Sequence, residues 1–183
     1  MDTDKATSGE LFIEEYRRHL AASLETVRHC LRQLNDQQLW WRPQRSQNSI
    51  ANLTLHLCGN LRQRILSLVG GEPDVRNRGL EFTERGPIPQ PELLRRLDDI
   101  AGAVDATLVG LPPARLSEQQ LFRGAAAPIE ESLLGGLLRT LAHLGGHAQE
   151  IVCLTRMQLK EAYTFRGAPP PPEMLDTRDR APS

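Results

Sequence analysis

Apolar residues recur at steps of three and four in four separate segments of the chain, which is the period of an amphipathic helix. The first segment, residues 8–34, carries a full stripe of them: Phe12, Tyr16, Leu20, Leu24, Val27, Leu31 and Leu34. The other segments cover residues 49–69, 90–111 and 128–160. No segment alternates apolar and polar residues convincingly enough to predict a strand. The pattern therefore predicts an all-α protein built from four helices.

Local signals predict where three of these helices begin. Ser49 is a favourable N-cap for the second helix, and Pro91 suits the first turn of the third. Pro128 suits the start of the fourth helix, with Glu130 and Glu131 in its first turn. Acidic side chains at that position interact favourably with the helix dipole.

The link between the second and third helices, residues 70–89, is long, charged and rich in glycine and proline. A link of this length within a compact domain is usually functional or a crossover, and a crossover lets the next helix run parallel to the previous one. We therefore predict a four-helix bundle with a long crossover between helices two and three. Residues 1–165 are expected to form one metal-binding domain, and the Pro-rich residues 166–183 a disordered tail.

Charge and composition exclude several classes of protein. The chain of 183 residues has a formal net charge of −1 and a pI near 6.5, whereas nucleic-acid-binding proteins usually carry a basic excess. The start MDTDKATSGE is not a secretory signal, and no run of about 18 apolar residues predicts a membrane helix. The three scattered cysteines, Cys30, Cys58 and Cys153, fit reduced thiols. We expect a cytoplasmic protein that binds neither nucleic acid nor membranes.

Three histidines are candidate metal ligands. In RTLAHLGGHAQEIV, residues 139–152, His143 and His147 are four apart, which places them on one helical face about 5–6 Å apart at Cβ. His56 lies on or beside the apolar stripe of the second helix. Three imidazoles from two helices would form a metal site with open positions for water or substrate, which is typical of catalytic sites. HxxxH pairs also occur without a metal. From these residues alone, the histidines could equally be polar side chains that bind no metal.

The residues between and after the paired histidines have more than one interpretation. Gly145 and Gly146 weaken the helix by about 1 kcal/mol each relative to alanine. They either admit a neighbouring helix or a second copy of the chain, or leave room beside the histidines. Glu150 is a surface side chain, a hydrogen-bond partner of a ligand, or a ligand itself. Four arginines either hold an anionic group or are solvated: Arg64, Arg76, Arg78 and Arg85.

Three stretches resemble the DinB/YfiT-like superfamily of bacterial four-helix proteins: SIANLTLHLCGNLRQRI, GGEPDVRNRGLEFTERG and HLGGHAQEIVCLTRMQL. The resemblance covers about residues 8–165. It implies a bundle with helices two and three parallel, a homodimer, and a divalent metal, often nickel or zinc, held by His56, His143 and His147. Family members often continue the HxxxH motif with Arg-Gly-Gln, whereas Ala148 follows here, and this difference bears on substrate recognition.

The resemblance also implies a chemistry, because members include transferases and isomerases that use a low-molecular-weight thiol. We expect a divalent-metal-dependent enzyme acting on a small molecule, either as a thiol-dependent S-transferase or as a hydrolase. One alternative is a non-catalytic, metal-stabilised helical dimer or a small-molecule-binding stress protein. Another is a chain that binds no metal, in which the three histidines are polar groups of the core.

Overall fold

The structure is a computed structural model that describes residues 6–123 and 127–169. Its helices are α1 (Ser8–Arg32), α2 (Asp36–Trp40), α3 (Ile50–Leu61), α4 (Arg78–Thr83), α5 (Gln90–Val109) and α6 (Leu133–Leu159). A π-helical stretch, Arg62–Ser67, continues α3, and 3-10 turns cover Pro113–Ser117 and Lys160–Ala162. Strands β1 (Gln119–Arg123) and β2 (Pro128–Ser132) form an antiparallel hairpin. The protein is mostly helical, which confirms the predicted fold class in part, and the four-helix bundle stays a prediction.

The core lies between the four long helices, because α1 and α3 each pack against both α5 and α6. Each of these helices contributes fully buried apolar side chains, among them Val27, Leu53, Leu97 and Ile151. Complete burial of one such side chain is worth about 1.5–3 kcal/mol. The apolar stripes of the four helices therefore pack against one another, and they determine which face of each helix is buried.

Side-chain caps fix the starts of the helices that carry the histidines. Ser49 accepts a hydrogen bond from the backbone N–H of Asn52, as its position predicts, and α3 follows at once. Ser132 accepts in the same way from Gly135 and so begins α6. These caps satisfy N–H groups that have no acceptor within the helix.

The hairpin corrects the prediction that the fourth helix starts near Pro128 and that the chain has no strands. Residues 128–132 are β2, so Glu130 and Glu131 belong to a strand and not to a first helical turn. The strands are five residues each, too short for a clear two-residue period. Phe122 of β1 is buried against α6, where a Cβ atom at Gly136 would overlap its ring. Gly136 therefore lets the hairpin dock.

The links also contain more structure than the sequence indicates, since α2 lies in residues 35–48 and α4 in residues 70–89. Trp40 joins the two links by donating its indole N–H to the carbonyl oxygen of Ile88 at 3.2 Å. The parallel course of helices two and three and the domain boundary at residue 165 stay predictions. Of the predicted tail, residues 170–183 lie outside the described residues. Among the helices that the structure describes, none has both the length and the apolar character needed to cross a bilayer.

Candidate metal centre

The three histidines predicted from the sequence meet at the contact between α3 and α6. Each of His56, His143 and His147 has one ring nitrogen that lies within 4.8 Å of a ring nitrogen of each of the other two. The Nε2 atoms of His56 and His143 are 2.9 Å apart. The ring centroids of His143 and His147 are 4.5 Å apart, and each is 5.1 Å from that of His56. Three imidazoles from two helices thus share one small volume, and binding of a metal by them stays a prediction.

The positions of these histidines follow from the helices that carry them. His56 lies on the buried face of α3, between Leu53 and Leu57, and its exposed fraction is 4%. On α6 the buried residues adjoining the pair are Leu144 and Ala148, so His143 and His147 sit at the edge of the buried stripe and are only half-buried. His56 is therefore buried in the core, whereas His143 and His147 lie at its edge.

A buried ion pair holds His56 in place. The Nδ1 atom of His56 lies 2.8 Å from Oε2 of Glu81, which belongs to α4. Arg76 donates to both carboxylate oxygens of Glu81, from Nε at 2.7 Å and from Nη2 at 2.8 Å. Burial acts to raise the pKa of Glu81, but the hydrogen bonds from Arg76 and His56 outweigh it and hold this pKa below its ordinary value. Glu81 is therefore a carboxylate that anchors the imidazole.

Glu81 also determines which nitrogen of His56 carries the proton. A carboxylate only accepts hydrogen bonds, so Nδ1 is the donor and Nε2 is left with a lone pair directed at the histidine cluster. Nη2 of Arg76 lies 3.1 Å from the same Nδ1, but both groups are donors that have Oε2 of Glu81 as their acceptor. Such carboxylate–histidine pairs are usual behind the histidine ligands of metal sites.

The link between α3 and α5 places Glu81 beside His56. Asn52 of α3 donates from Nδ2 to the carbonyl oxygens of Glu81 and Glu84, at 2.9 and 3.0 Å. The hydroxyl of Ser49 and the guanidinium of Arg42 both donate to the side-chain oxygen of Asn52, which fixes the orientation of the amide. The 70–89 link is thus clamped to α3 at the point where its carboxylate reaches His56.

Gly59 leaves the space that this carboxylate occupies. A Cβ atom at position 59 would overlap Oε1 of Glu81. Gly145 and Gly146 are different, because a Cβ atom at either would meet nothing within 4 Å among the described residues. The interpretation that these two glycines admit another helix is therefore wrong for the described part of this chain. Room beside the histidines, or contact with a second copy of the chain, stays a prediction.

His147 has a weaker partner than His56. Its Nδ1 lies 2.8 Å from Oε2 of Glu150, one turn further along α6, and the Glu150 side chain is 46% exposed. Of the three interpretations of Glu150, the geometry favours that of a hydrogen-bond partner of a candidate ligand.

Desolvation and neighbouring charges act together on His143. Burial, followed by the charges of His147 and His56 and then of Arg76 and Arg64, lowers the pKa of His143 to about 4. Its imidazole is therefore neutral at neutral pH and keeps a lone pair on one nitrogen, which is the form that binds metal ions.

A cavity of about 490 Å³ opens beside His56 and His143. Three of the predicted arginines, Arg64, Arg76 and Arg78, line it. Arg85 is exposed instead and donates to the backbone oxygens of Phe82 and Glu84, which favours the alternative of a solvated side chain. The chain supplies a further arginine from α6, Arg139, which has no sequence pattern to distinguish it.

The fold and the site together define a mostly helical protein with a three-histidine cluster at the wall of a basic cavity. The chain belongs to the family described as "Protein of unknown function (DUF1572)", whose sequence profile matches residues 7–170. Among curated proteins, none matches the chain significantly. The relationship to the DinB/YfiT-like superfamily stays a prediction.

Proposed function

We propose that this protein is a divalent-metal-dependent enzyme of the DinB/YfiT-like type, whose histidine cluster acts on a small molecule. The observation that carries the proposal is the convergence of His56, His143 and His147, whose ligand atoms lie within 4.8 Å of one another. The histidines come from α3 and α6, and Glu81 of the 70–89 link holds His56. An isolated HxxxH pair would need neither the third histidine nor this carboxylate.

The donor set suits a borderline divalent ion. His56 presents Nε2 because Nδ1 faces Glu81, and His143 is neutral at neutral pH. Three imidazole nitrogens suit zinc or nickel, whereas calcium and magnesium prefer oxygen ligands. Because only histidines belong to the cluster among the described residues, positions remain for a water molecule, a thiol or a substrate atom.

A divalent ion held there would supply Lewis acidity that lowers the pKa of a bound water or thiol, and either could then serve as a nucleophile at neutral pH. The protein's own groups orient the site. Glu81 fixes the ring of His56, and the ring of Phe82 packs against it with the two centroids 4.8 Å apart. The cavity is large enough for a small substrate. Thiol-dependent S-transfer and hydrolysis both fit this arrangement.

The proposed bundle is of the DinB/YfiT-like type, with α3 and α5 parallel across the 70–89 link, and it assembles as a homodimer. Contact between α3 and α5, and the length of the link that joins them, support the parallel course. The proposed dimer rests on the resemblance alone.

The test is turnover that depends on the metal. Protein loaded with zinc or nickel is assayed for hydrolysis of 4-nitrophenyl acetate and for transfer of glutathione to 1-chloro-2,4-dinitrobenzene. We expect turnover that is lost on chelation and in His143→Ala, and retained in His19→Ala, which removes an exposed histidine of α1. Equal rates in all four samples would contradict the proposal. Metal binding that raises the melting temperature without any turnover would favour the non-catalytic, metal-stabilised alternative.

A further inference from the structure

A second cavity borders the ion pair of Glu81 and Arg76, and none of the three histidines lines it. We call it the Cys58 cavity, because Cys58 of α3 lies in its wall together with residues of the 70–89 link and of α5. Its volume of about 430 Å³ lies within the range of small-molecule sites, about 300–1,000 Å³. Among its lining residues it shares Arg76 with the cavity beside the histidines.

Four aliphatic side chains, from three parts of the fold, line the Cys58 cavity. Leu55 and Ile88 are half-buried and pack against the core, and Ile100 is buried. Leu80 of α4 lines the same space and is 63% exposed. One exposed leucine on a protein surface is ordinary. Four aliphatic side chains around one concave space give a ligand apolar surface to cover.

The thiol of Cys58 adds an uncharged group to this wall. Cys58 is half-buried, and burial raises the pKa of its thiol to about 12 against the smaller opposing effect of Arg96. The thiol therefore stays protonated at neutral pH. A protonated cysteine packs as a small apolar side chain and is a poor nucleophile. Cys58 thus favours contact with an apolar ligand over a covalent reaction.

The charges of the wall balance one another in number. Three arginines and three carboxylates line the cavity: Arg62, Arg76, Arg96, Glu81, Glu84 and Asp99. This balance differs from the cavity beside the histidines, where the charged lining residues are arginines among the residues that the structure describes. A charged ligand would therefore find no excess of opposite charge in the Cys58 cavity.

These charged groups also have partners already. Arg76 and Glu81 pair with each other, and the carboxylate of Glu84 accepts hydrogen bonds from the next two backbone N–H groups. The remaining three form ion pairs with residues outside the wall: Arg62 with Glu72, Arg96 with Glu92, and Asp99 with Arg95. A charged ligand would lose its hydration and would have to break one of these contacts to be compensated.

We propose that the Cys58 cavity binds a neutral, largely apolar small molecule, whose ring or hydrocarbon chain covers Leu55, Leu80 and Ile88. A ligand of this class gains free energy by removing apolar surface from water, and it needs no opposite charge in the wall. The inference goes beyond the proposed function, because the histidines do not line this cavity and the binding requires no metal.

The experiment measures binding of three probes to the full chain by isothermal titration calorimetry: naphthylmethanol, naphthoate and naphthylmethylammonium. They share one ring system, substituted at the same position, and are neutral, anionic and cationic. Wild type is compared with Leu80→Asp, which places a charge in the apolar wall, and with Cys58→Phe, which fills the cavity. Val75→Asp is the matched control, because Val75 is an exposed apolar residue of the same link that does not line the cavity. Every titration is repeated with a chelator, and melting curves establish that each variant is folded.

We expect the neutral probe to bind wild type and Val75→Asp equally, with or without the chelator. Leu80→Asp should weaken it about tenfold, since covering one leucine side chain is worth at least that much. Cys58→Phe should abolish its binding, and both charged probes should bind wild type at least tenfold more weakly than the neutral one.

Three results would overturn the inference: no binding of the neutral probe to wild type, a charged probe that binds as tightly, or an unchanged affinity in folded Leu80→Asp. Binding that disappears on chelation would also overturn it, because the probe would then occupy the histidine cluster. Chelator-independent binding by a protein that takes up no metal would leave the inference standing and remove the proposed function.

Discussion

His56 and His147 belong to one cluster but are held in opposite ways. The side chain of His56 is 5% exposed and is bonded to a carboxylate from another part of the chain, which an arginine holds in turn. The side chain of His147 is 24% exposed and is bonded to a glutamate one turn away on its own helix. The α3 side of the site is therefore fixed by tertiary structure, and the α6 side by a local contact that faces solvent. The difference separates the buried, anchored side of the site from its half-exposed side.

The energetics of the two carboxylates should differ accordingly. A buried ion pair gains little stability overall, since desolvation offsets the attraction, but removal of one partner leaves the other charge buried without compensation. An exposed pair is screened by water and contributes little in either direction. Comparison of Glu81 with Glu150 therefore measures how much of the site depends on the link between α3 and α5.

The largest effect is expected for Glu81→Ala, which leaves the buried guanidinium of Arg76 without its carboxylate. The free energy of unfolding should fall by about 3–5 kcal/mol. Glu150→Ala should lower it by about 1 kcal/mol or less. Urea denaturation of both variants measures the two values. Equal losses of unfolding free energy in the two variants would contradict the difference between the buried and the exposed carboxylate.

A smaller effect is expected at Gly59, the glycine that gives Glu81 its space. Gly59→Ala forces the carboxylate away from Arg76 and His56, and overpacking of this kind reduces stability by about 1–3 kcal/mol. Gly102→Ala is the matched control, because a Cβ atom there meets nothing within 4 Å and the residue lies in the middle of α5. This control should gain about 0.5–1 kcal/mol. A gain at both positions would show that Glu81 moves without loss.

The smallest effect on stability is expected at Gly145 and Gly146, on the half-exposed α6 side of the site. Gly145→Ala and Gly146→Ala should each raise the free energy of unfolding by about 1 kcal/mol, because alanine favours the helix and the structure leaves space for its methyl group. Thermal denaturation of the two variants checks this. A loss of stability at either glycine would indicate that a second copy of the chain packs there.

Hydrophobic periodicity predicts the long helices and the two helical faces that carry the histidines. The stripe of α1, the cap at Ser49 and the spacing of His143 and His147 depend on neighbours in the sequence, so they are visible in it. The position of His56 on the inner face of its helix follows from the same pattern.

The anchor of the site has no such local signature. Glu81 lies 25 residues from His56, in a charged link where a single carboxylate does not differ from its neighbours. Its role arises only when Asn52 clamps α4 onto α3. The hairpin escapes prediction for a similar reason, because its position depends on Phe122 docking at Gly136 and not on a repeated pattern. Contacts that are distant in sequence decide these features.

The most direct test is elemental analysis of tag-free protein, with wild type beside His56→Ala and His143→Ala, and with His19→Ala as the control. We predict about one equivalent of a divalent ion, zinc or nickel, in wild type and in the control, and its loss from both cluster variants. Absence of metal from wild type after incubation with zinc and nickel salts would contradict the account. The three histidines would then be polar groups of the helix contact, with His56 held by Glu81 and His147 by Glu150.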